Sequence, residues 1–226
     1  MVAALNLAVI LALAFLPSIV WLIFFLKEDR HPEPKKLIFL VFCAGALASI
    51  PAIIFQFGFQ KLVGNPLHSF VIAILGLALI EEIFKFSAAY VSVRKEPAFN
   101  EPVDAMIYSI VAALGFATIE NLFIMGDKMQ YLTVNSLIVS VSTLGFRFVG
   151  ATLLHTLASA FAGYYWARRK IFLGLAAATL SHFIFNYLVY RFESVSLLYP
   201  SIFLVFLAIF IFNDFSKLDR QQNSSD

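Results

Sequence analysis

Residues 78–90 read ALIEEIFKFSAAY and place Glu81, Glu82 and Lys85 inside an otherwise apolar run. On an insertion scale, a charge at the centre of a membrane helix costs about 2.5–3.5 kcal/mol, whereas each Leu, Ile, Phe or Val contributes only about 0.3–0.6 kcal/mol. This helix therefore needs partners or water for its charged face, which a bundle of helices can supply. Glu81 and Glu82 lie four and three residues before Lys85, so either carboxylate can pair with the ammonium. The other carboxylate is then available for chemistry.

The composition of the whole chain agrees with a membrane environment. The chain has 226 residues, of which 61% are hydrophobic and 13% are charged, and 26 residues are Phe. A soluble domain is about 45–50% apolar and about 25% charged. The net charge of +2 is too small to indicate a nucleic-acid partner. The single cysteine, Cys43, lies in an apolar run, so we interpret it as a packed hydrophobic residue and not as a nucleophile.

The apolar residues are arranged in continuous stretches. A spanning helix needs about 20 mostly apolar residues, and seven stretches qualify: 2–26, 37–59, 68–91, 103–125, 148–167, 171–190 and 196–214. The sequence thus predicts an all-α transmembrane bundle, with residues 1–215 as one integral membrane domain and 216–226 as a polar cytoplasmic tail. The stretch 131–146 is apolar but short. A re-entrant or interfacial helix, an extension of the fifth span and an eighth crossing all remain open for it.

The basic residues predict the orientation. Most of them follow the first, third and fifth spans or lie in the tail: Lys27, Arg30, Lys35, Lys36, Arg94, Lys95, Arg168, Arg169, Lys170, Lys217 and Arg220. The opposite loops carry only Lys61, Lys128 and Arg191. Because loops rich in Lys and Arg stay in the cytoplasm, we expect the N-terminus outside the cell and the C-terminus inside it.

Three further spans carry polar side chains that an apolar helix would not need. The fourth span contains Glu120, the fifth has His155 four residues before Ser159, and the sixth has His182 four residues before Asn186. Residues four apart share a helix face. We therefore expect these groups to meet Glu81 and Glu82 in a cavity within the membrane that opens toward the extracytoplasmic side.

Such a set of residues suits hydrolysis. A carboxylate can activate water, and His or Asn side chains can donate hydrogen bonds to the developing oxyanion. Two His and one Glu are also a common ligand set for catalytic zinc, here Glu120, His155 and His182. The HExxH motif of standard zinc proteases is absent from the sequence. We favour carboxylate-activated water without an obligatory metal, with a divalent metal such as zinc as the alternative.

At these residues the sequence resembles the PrsW family of intramembrane proteases, which belongs to the same clan as CAAX prenyl endopeptidases and bacteriocin-processing enzymes. The likeness rests on EEIFK at 81–85, FATIE at 116–120, His155 with Ser159, HFIFN at 182–186 and the loop KEDRHPEPKK at 27–36. It implies a protease of the bacterial plasma membrane. The implied substrate is a single-pass membrane protein, an anti-sigma factor that is first cut on its extracytoplasmic side (site 1) so that a stress sigma factor is eventually released.

The resemblance also implies a role for each residue. Glu81 would be the base with Glu120 assisting, His182 with Asn186 would stabilise the oxyanion, His155 would orient water or substrate, Glu82 would pair with Lys85, and Phe116 and Ser159 would support the site. Two positions depart from the prenyl endopeptidases, which have His in place of Glu120 and a more distant Arg in place of Lys85.

Two other classes of function use buried charges in a membrane. A proton- or ion-coupled transporter would use the Glu, Lys and His side chains as a relay. A non-catalytic scaffold would use the same bundle to bind a partner's transmembrane helix. The sequence has no convincing internal repeat, which counts against the transporter.

Overall fold

The polypeptide folds into a bundle of helices. The structure is a computed structural model that describes residues 2–64, 66–128, 133–192 and 198–222. These residues contain eight α-helices and no strand: α1 (Val2–Phe25), α2 (Lys35–Val63), α3 (Pro66–Val93), α4 (Asp104–Lys128), α5 (Val134–Val149), α6 (Ala151–Ala167), α7 (Ile171–Phe192) and α8 (Leu198–Gln222). The predicted all-α bundle is confirmed for the described part of the chain.

The helices match the predicted membrane spans. Six stretches of the described residues are long and apolar enough to cross a membrane, and they comprise α1, α2, α4, α5 with α6, α7 and α8. The remaining helix, α3, has 28 residues and contains Glu81, Glu82 and Lys85. Each of the seven predicted spans therefore coincides with a helix, and the chain is a multi-pass membrane protein.

The ambiguous stretch 131–146 forms most of α5, although residues 131 and 132 lie outside the described residues. α5 begins with a capping box, in which Ser136 N–H donates to the Thr133 side chain and Thr133 N–H donates to the Ser136 side chain. α5 and α6 make one stretch of 34 residues. They are separated at Gly150, where φ −97° and ψ −93° are not helical. α5 is thus an upstream extension of the fifth span with a break at Gly150.

The last helix is longer than predicted. α8 ends at Gln222, so it runs past the expected domain boundary at residue 215 and into the polar tail. In this extension Leu218 is buried, and Lys217 donates a 2.7 Å hydrogen bond to Asp214. Residues 223–226 of the predicted tail lie outside the described residues.

α4 lies at the centre of the bundle, and its residues from Asp104 to Thr118 are all buried. Two glycines allow neighbouring backbones to approach it closely. A Cβ atom at Gly115 would lie 2.0 Å from the carbonyl oxygen of Phe42 on α2, and one at Gly163 on α6 would lie 2.4 Å from that of Ala105. Small residues at helix crossings have this effect in membranes. α2 and α6 are therefore packed directly against the helix that carries Glu120.

The loop between α1 and α2 is attached to the start of α4. The hydroxyl of Tyr108 donates a short hydrogen bond to the carboxylate of Glu33. His31 Nδ1 lies 2.9 Å from Glu101 Oε1, and the backbone N–H of His31 donates to Asp29 at 2.9 Å. The charged, proline-bearing loop is thus held by specific contacts.

Glu33 predicts a pH dependence of stability. Partial burial, with Asp104 and Asp29 nearby, raises the pKa of Glu33 from 4.5 to about 8. Because the folded protein holds this proton more tightly than the unfolded chain, its stabilising contribution is complete at low pH and is lost as pH rises through about 8. We expect Glu33→Gln to flatten the fall in melting temperature between about pH 5 and 8, measured by thermal unfolding in detergent.

The matched control is Glu96→Gln, at an exposed position in the loop after α3. It should keep the pH dependence of the wild type. A Glu33→Gln profile that follows the wild type across the whole pH range would contradict the assignment to this carboxyl group.

Candidate active site

Glu81 presents one carboxylate oxygen that bonds to none of the described residues. Its Oε1 accepts a 2.7 Å hydrogen bond from Gln56 Nε2 on α2. Its Oε2 is buried and has no hydrogen-bond partner among the described residues. This oxygen lies 3.7 Å from His182 Nε2 and 3.9 Å from His155 Nδ1. Since buried polar atoms normally have partners, Glu81 Oε2 and the two imidazoles are placed to share a water molecule or an ion.

The adjacent Glu82 is instead fully bonded. Its Oε1 lies 2.5 Å from Lys85 Nζ and 2.7 Å from His182 Nδ1, and Ser159 Oγ donates to its Oε2 at 3.5 Å. The neutral His182 ring can satisfy Glu82 only by donating from Nδ1–H, which leaves the lone pair of Nε2 directed at Glu81. The two neighbouring glutamates therefore have different tasks.

His155 bridges α3 and α4. Its Nδ1 accepts from Lys85 Nζ at 2.8 Å, and its Nε2 lies 2.9 Å from Glu120 Oε2, to which it donates. The His155 ring is perpendicular to that of His182, with centroids 5.0 Å apart. Phe116 packs beside His155 and Lys85. The centroid of its ring lies 6.0 Å from that of His155 and 5.6 Å from Lys85 Nζ.

Arg147 on α5 completes this chain of contacts. Its Nη2 lies 3.1 Å from Glu120 Oε2, and its Nε donates to Asn121 Oδ1 at 2.5 Å. Asn121 in turn donates to Thr152 on α6 at 3.3 Å. The carboxylate that orients His155 is therefore held by a guanidinium group from α5.

These groups border one cavity of about 570 Å³. Its lining comprises Ile53, Phe57, Glu81, Glu120, Phe123, Ile124, Arg147, Ala151, Leu154, His155, His182 and Asn186. Several of these residues lie in the C-terminal halves of α2, α4 and α7. The cavity is therefore displaced toward the end of the bundle opposite the loops that contain Lys27 and Arg94.

The structure brings the predicted site residues together. Glu82 bonds to His182, and Glu120 bonds to His155. Glu81 Oε2 lies within 3.9 Å of both imidazoles, and Asn186 lines the cavity. Gln56 and Arg147 were missed as site residues. Both are isolated polar residues in apolar runs, IIFQFGF and GFRFVG, which is the signal that singled out the other members.

The donor atoms can be tested against a divalent metal. The ligand atoms of Glu81, His155 and His182 all lie within 4.8 Å of one another, and each imidazole contacts a carboxylate through its other nitrogen, as metal-binding histidines do. These three residues fit a metal. The set with Glu120 that the sequence suggested is not the one assembled, because Glu120 contacts the far nitrogen of His155. For His155 to bind the metal through Nδ1, the hydrogen bond from Lys85 Nζ to this nitrogen would have to break.

The charges within the site do not balance. Three carboxylates, those of Glu81, Glu82 and Glu120, face two cations, Lys85 and Arg147. With every group ionised and both imidazoles neutral, one negative charge remains in excess. Isolated charges are costly in a buried site. The arrangement therefore favours one additional proton or cation near Glu81, whose Oε2 bonds to no residue that the structure describes.

Comparisons with known proteins identify the family. The family model of PrsW family intramembrane metalloprotease matches residues 33–213. Protease PrsW of Geobacillus kaustophilus is 30% identical over 65% of this chain and 60% of its own length. Protease PrsW of Oceanobacillus iheyensis is 26% identical over 84% of this chain and 86% of its own length.

A third relative extends the match to almost the whole chain. Protease PrsW of Clostridioides difficile is 25% identical over 94% of this chain and 91% of its own length. No solved structure matches the chain. The alignment spans less than two thirds of the Geobacillus protein but most of the other two proteins. The chain belongs to the PrsW family of intramembrane metalloproteases, a family of multi-pass membrane peptidases.

Proposed function

We propose that this protein cleaves a peptide bond of a single-pass membrane protein and that Glu81 activates the attacking water. One observation carries the proposal: Glu81 Oε2 is buried, has no hydrogen-bond partner in the described part of the chain, and faces both imidazoles at the wall of the cavity. The family supports a peptidase, and this geometry supports the choice of base.

The contacts of Glu81 suit a general base. Gln56 holds Oε1, so the carboxylate is fixed with Oε2 toward the cavity. A water molecule that donates to Oε2 can attack the substrate carbonyl as its proton passes to the carboxylate. The same carboxyl group can then give the proton to the leaving amine, which completes the hydrolysis.

His182 and Asn186 can bind the attacking water and the oxyanion that develops on the reacting carbonyl. In its neutral form His182 accepts at Nε2 and can hold the attacking water against Glu81. A doubly protonated ring donates from Nε2 and can stabilise the oxyanion, together with the amide N–H of Asn186. Glu82 keeps the ring oriented through Nδ1 in both cases.

A divalent metal is the alternative route to the same reaction. Glu81, His155 and His182 would hold it, and when bound it would polarise the peptide carbonyl as a Lewis acid. Glu82 and Glu120 would then orient the two histidine ligands through their other nitrogens. We favour the route that uses the side chains alone.

The substrate we propose is a membrane-anchored anti-sigma factor that is cut near the extracytoplasmic face of the plasma membrane. The support is the position of the cavity, which lies toward the end of the bundle opposite the basic loops. Because basic loops remain in the cytoplasm, this end would face outward, with the N-terminus outside and the C-terminus in the cytoplasm.

The proposal is tested with purified protein and a single-span peptide, with fragments identified by mass spectrometry. We expect cleavage near the outward end of the span. His182→Ala should lower the rate by about 100-fold or more, because both the held water and the oxyanion donor are lost. His31→Ala, in the loop after α1, is the matched control and should cleave like the wild type.

The same assay decides on the metal. Cleavage that continues in a chelator is the result we expect. Loss of cleavage in chelator with recovery on adding zinc would replace our favoured route by the metal route. His182→Ala protein that cleaves at the wild-type rate would contradict both routes.

A further inference from the structure

A second cavity of about 530 Å³ lies between the α5–α6 junction, α7 and α8. Its lining comprises Phe146, Arg147, Val149, Gly150, Ala151, Phe185, Val189, Pro200, Ser201 and Leu204. The walls are mostly aliphatic and aromatic, with few polar groups. Both its size and its lining are those of pockets that bind apolar ligands.

This cavity adjoins the catalytic one. Arg147 and Ala151 line both of them. On α7, Phe185 faces the second cavity and the next residue, Asn186, faces the first. A chain segment that occupies the catalytic cavity is therefore next to the second cavity at a point shared by α5, α6 and α7.

Small residues surround the point where the two cavities meet. Gly150 and Ala151 lie there, at the break between α5 and α6. A Cβ atom at Gly150 would lie 2.5 Å from the carbonyl oxygen of Phe146 and 3.5 Å from the ring of Phe185. A side chain at this position would collide with the carbonyl oxygen of Phe146, so the break between α5 and α6 favours glycine beside the shared residue Ala151.

The guanidinium group of Arg147, which lines both cavities, already has bonding partners. Arg147 bonds to Glu120 and Asn121, and its side chain is only 15% exposed. It thus serves as a fixed wall between a polar catalytic space and an apolar one. Among the described residues that line the second cavity, Arg147 is the only charged one, so this part of the lining does not select a polar ligand.

We propose that the second cavity is a specificity subsite that receives an apolar side chain of the substrate next to the scissile bond. This rests on the proposed function, because it assumes that a peptide occupies the catalytic cavity. A transmembrane substrate supplies such side chains on both sides of any bond within its span. A lipid acyl chain is the competing occupant, since it has the same apolar chemistry but would not affect the choice of peptide.

The test fills the proposed subsite by placing a larger side chain at a residue that lines it. Ser201→Phe adds a ring at an exposed position of α8 that lines the cavity, and Ile202→Phe is the matched control at the next residue, which is 57% exposed and is not part of the lining. Single-span peptides carry Ala, Leu or Phe at each residue flanking the cleaved bond in turn. The measured quantity is kcat/KM for each peptide.

We expect the wild type and Ile202→Phe to prefer Leu or Phe over Ala at one flanking position by about 10-fold or more, within the range that an apolar pocket provides. Ser201→Phe should remove that preference and leave the rate on the Ala peptide close to that of the wild type. Val189→Phe, which fills the cavity from α7, should have the same effect and guards against a variant that fails to fold.

The outcomes separate the two proposals. If the wild type cleaves the peptides and both filled variants keep its preference, the cavity holds lipid or serves packing alone, and the subsite is wrong while the proposed function stands. An equal loss on all peptides would also overturn the subsite. If the folded wild type cleaves no peptide, the proposed function itself fails and the subsite fails with it.

Discussion

Replacement of Glu81 by Gln is expected to lower kcat/KM for a single-span peptide by about 100- to 10,000-fold, the usual contribution of a general base. Gln has the same shape and can still accept the hydrogen bond from Gln56. It cannot take a proton from water, so the substitution removes the chemistry and keeps the packing. The measurement is the initial rate of fragment formation at several peptide concentrations.

The control for this loss is Glu96→Gln, which makes the same chemical change at an exposed residue outside the cavity. It should cleave at the wild-type rate. The melting temperature of Glu81→Gln protein should stay close to that of the wild type, because Glu81 Oε2 makes no hydrogen bond to the described residues that the substitution would remove. A large fall in melting temperature would mean that Glu81 is structural.

Replacement of Lys85 by Met is expected to have the largest effect on stability. Lys85 is fully buried, donates to Glu82 at 2.5 Å and contacts His155 at 2.8 Å. Removal of one partner of a buried ion pair costs about 3–5 kcal/mol, because the other charge is left uncompensated. The measurement is the free energy of unfolding in detergent.

Lys217→Met is the matched control, since Lys217 also bonds an acidic residue three positions earlier, Asp214, at 2.7 Å. Its side chain is 45% exposed, so solvent screens the pair and the loss of Lys217 should cost much less stability than the loss of Lys85. Adding Glu82→Gln to Lys85→Met should recover part of the lost stability. Equal effects of Lys85→Met and Lys217→Met would show that Lys85 is not held in a buried ion pair.

Most of the fold could be predicted because apolar stretches of about 20 residues have few alternatives in a membrane. Within the described residues, which omit 196 and 197, each predicted span coincides with a helix, and the fifth is interrupted at Gly150. The helix α5 could not be assigned, because its serine, threonine and asparagine residues are compatible with an interfacial position and with a bundle. The capping box at Thr133 and the break at Gly150 place it directly before α6.

The sequence predicted which residues form the candidate site, but it did not predict which of them pair with one another. The spacing of Glu81, Glu82 and Lys85 allowed either glutamate to pair with the ammonium, and helix periodicity alone could not choose between them. The choice depends on which face of α3 meets α7, where His182 reaches Glu82 Oε1. Contacts between helices that are distant in sequence therefore determine which glutamate pairs with Lys85.

The roles of two site residues could not be predicted from the sequence for a related reason. Gln56 and Arg147 were visible as single polar residues in apolar runs. Their roles depend on the approach of α2 to α3 and of α5 to α4, which no local pattern specifies. Isolated polar residues in apolar spans predicted the site residues of four helices, and the resemblance to PrsW proteases implied their roles. The structure adds a polar contact residue from each of two more helices.

The separation of tasks between the paired glutamates explains why the site needs both. Glu82 neutralises Lys85 and orients His182, so the helix can carry its charges within the bundle. Glu81 is thereby left with one oxygen for the substrate side of the cavity.

The most direct test of this account is the mass spectrum of a single-span peptide after incubation with Glu81→Gln protein that is folded as judged by its melting temperature. We expect the peptide to remain intact over the time in which wild-type and Glu96→Gln protein convert it to two fragments. The same two fragments, formed by Glu81→Gln protein at the wild-type rate, would show that Glu81 is not the base.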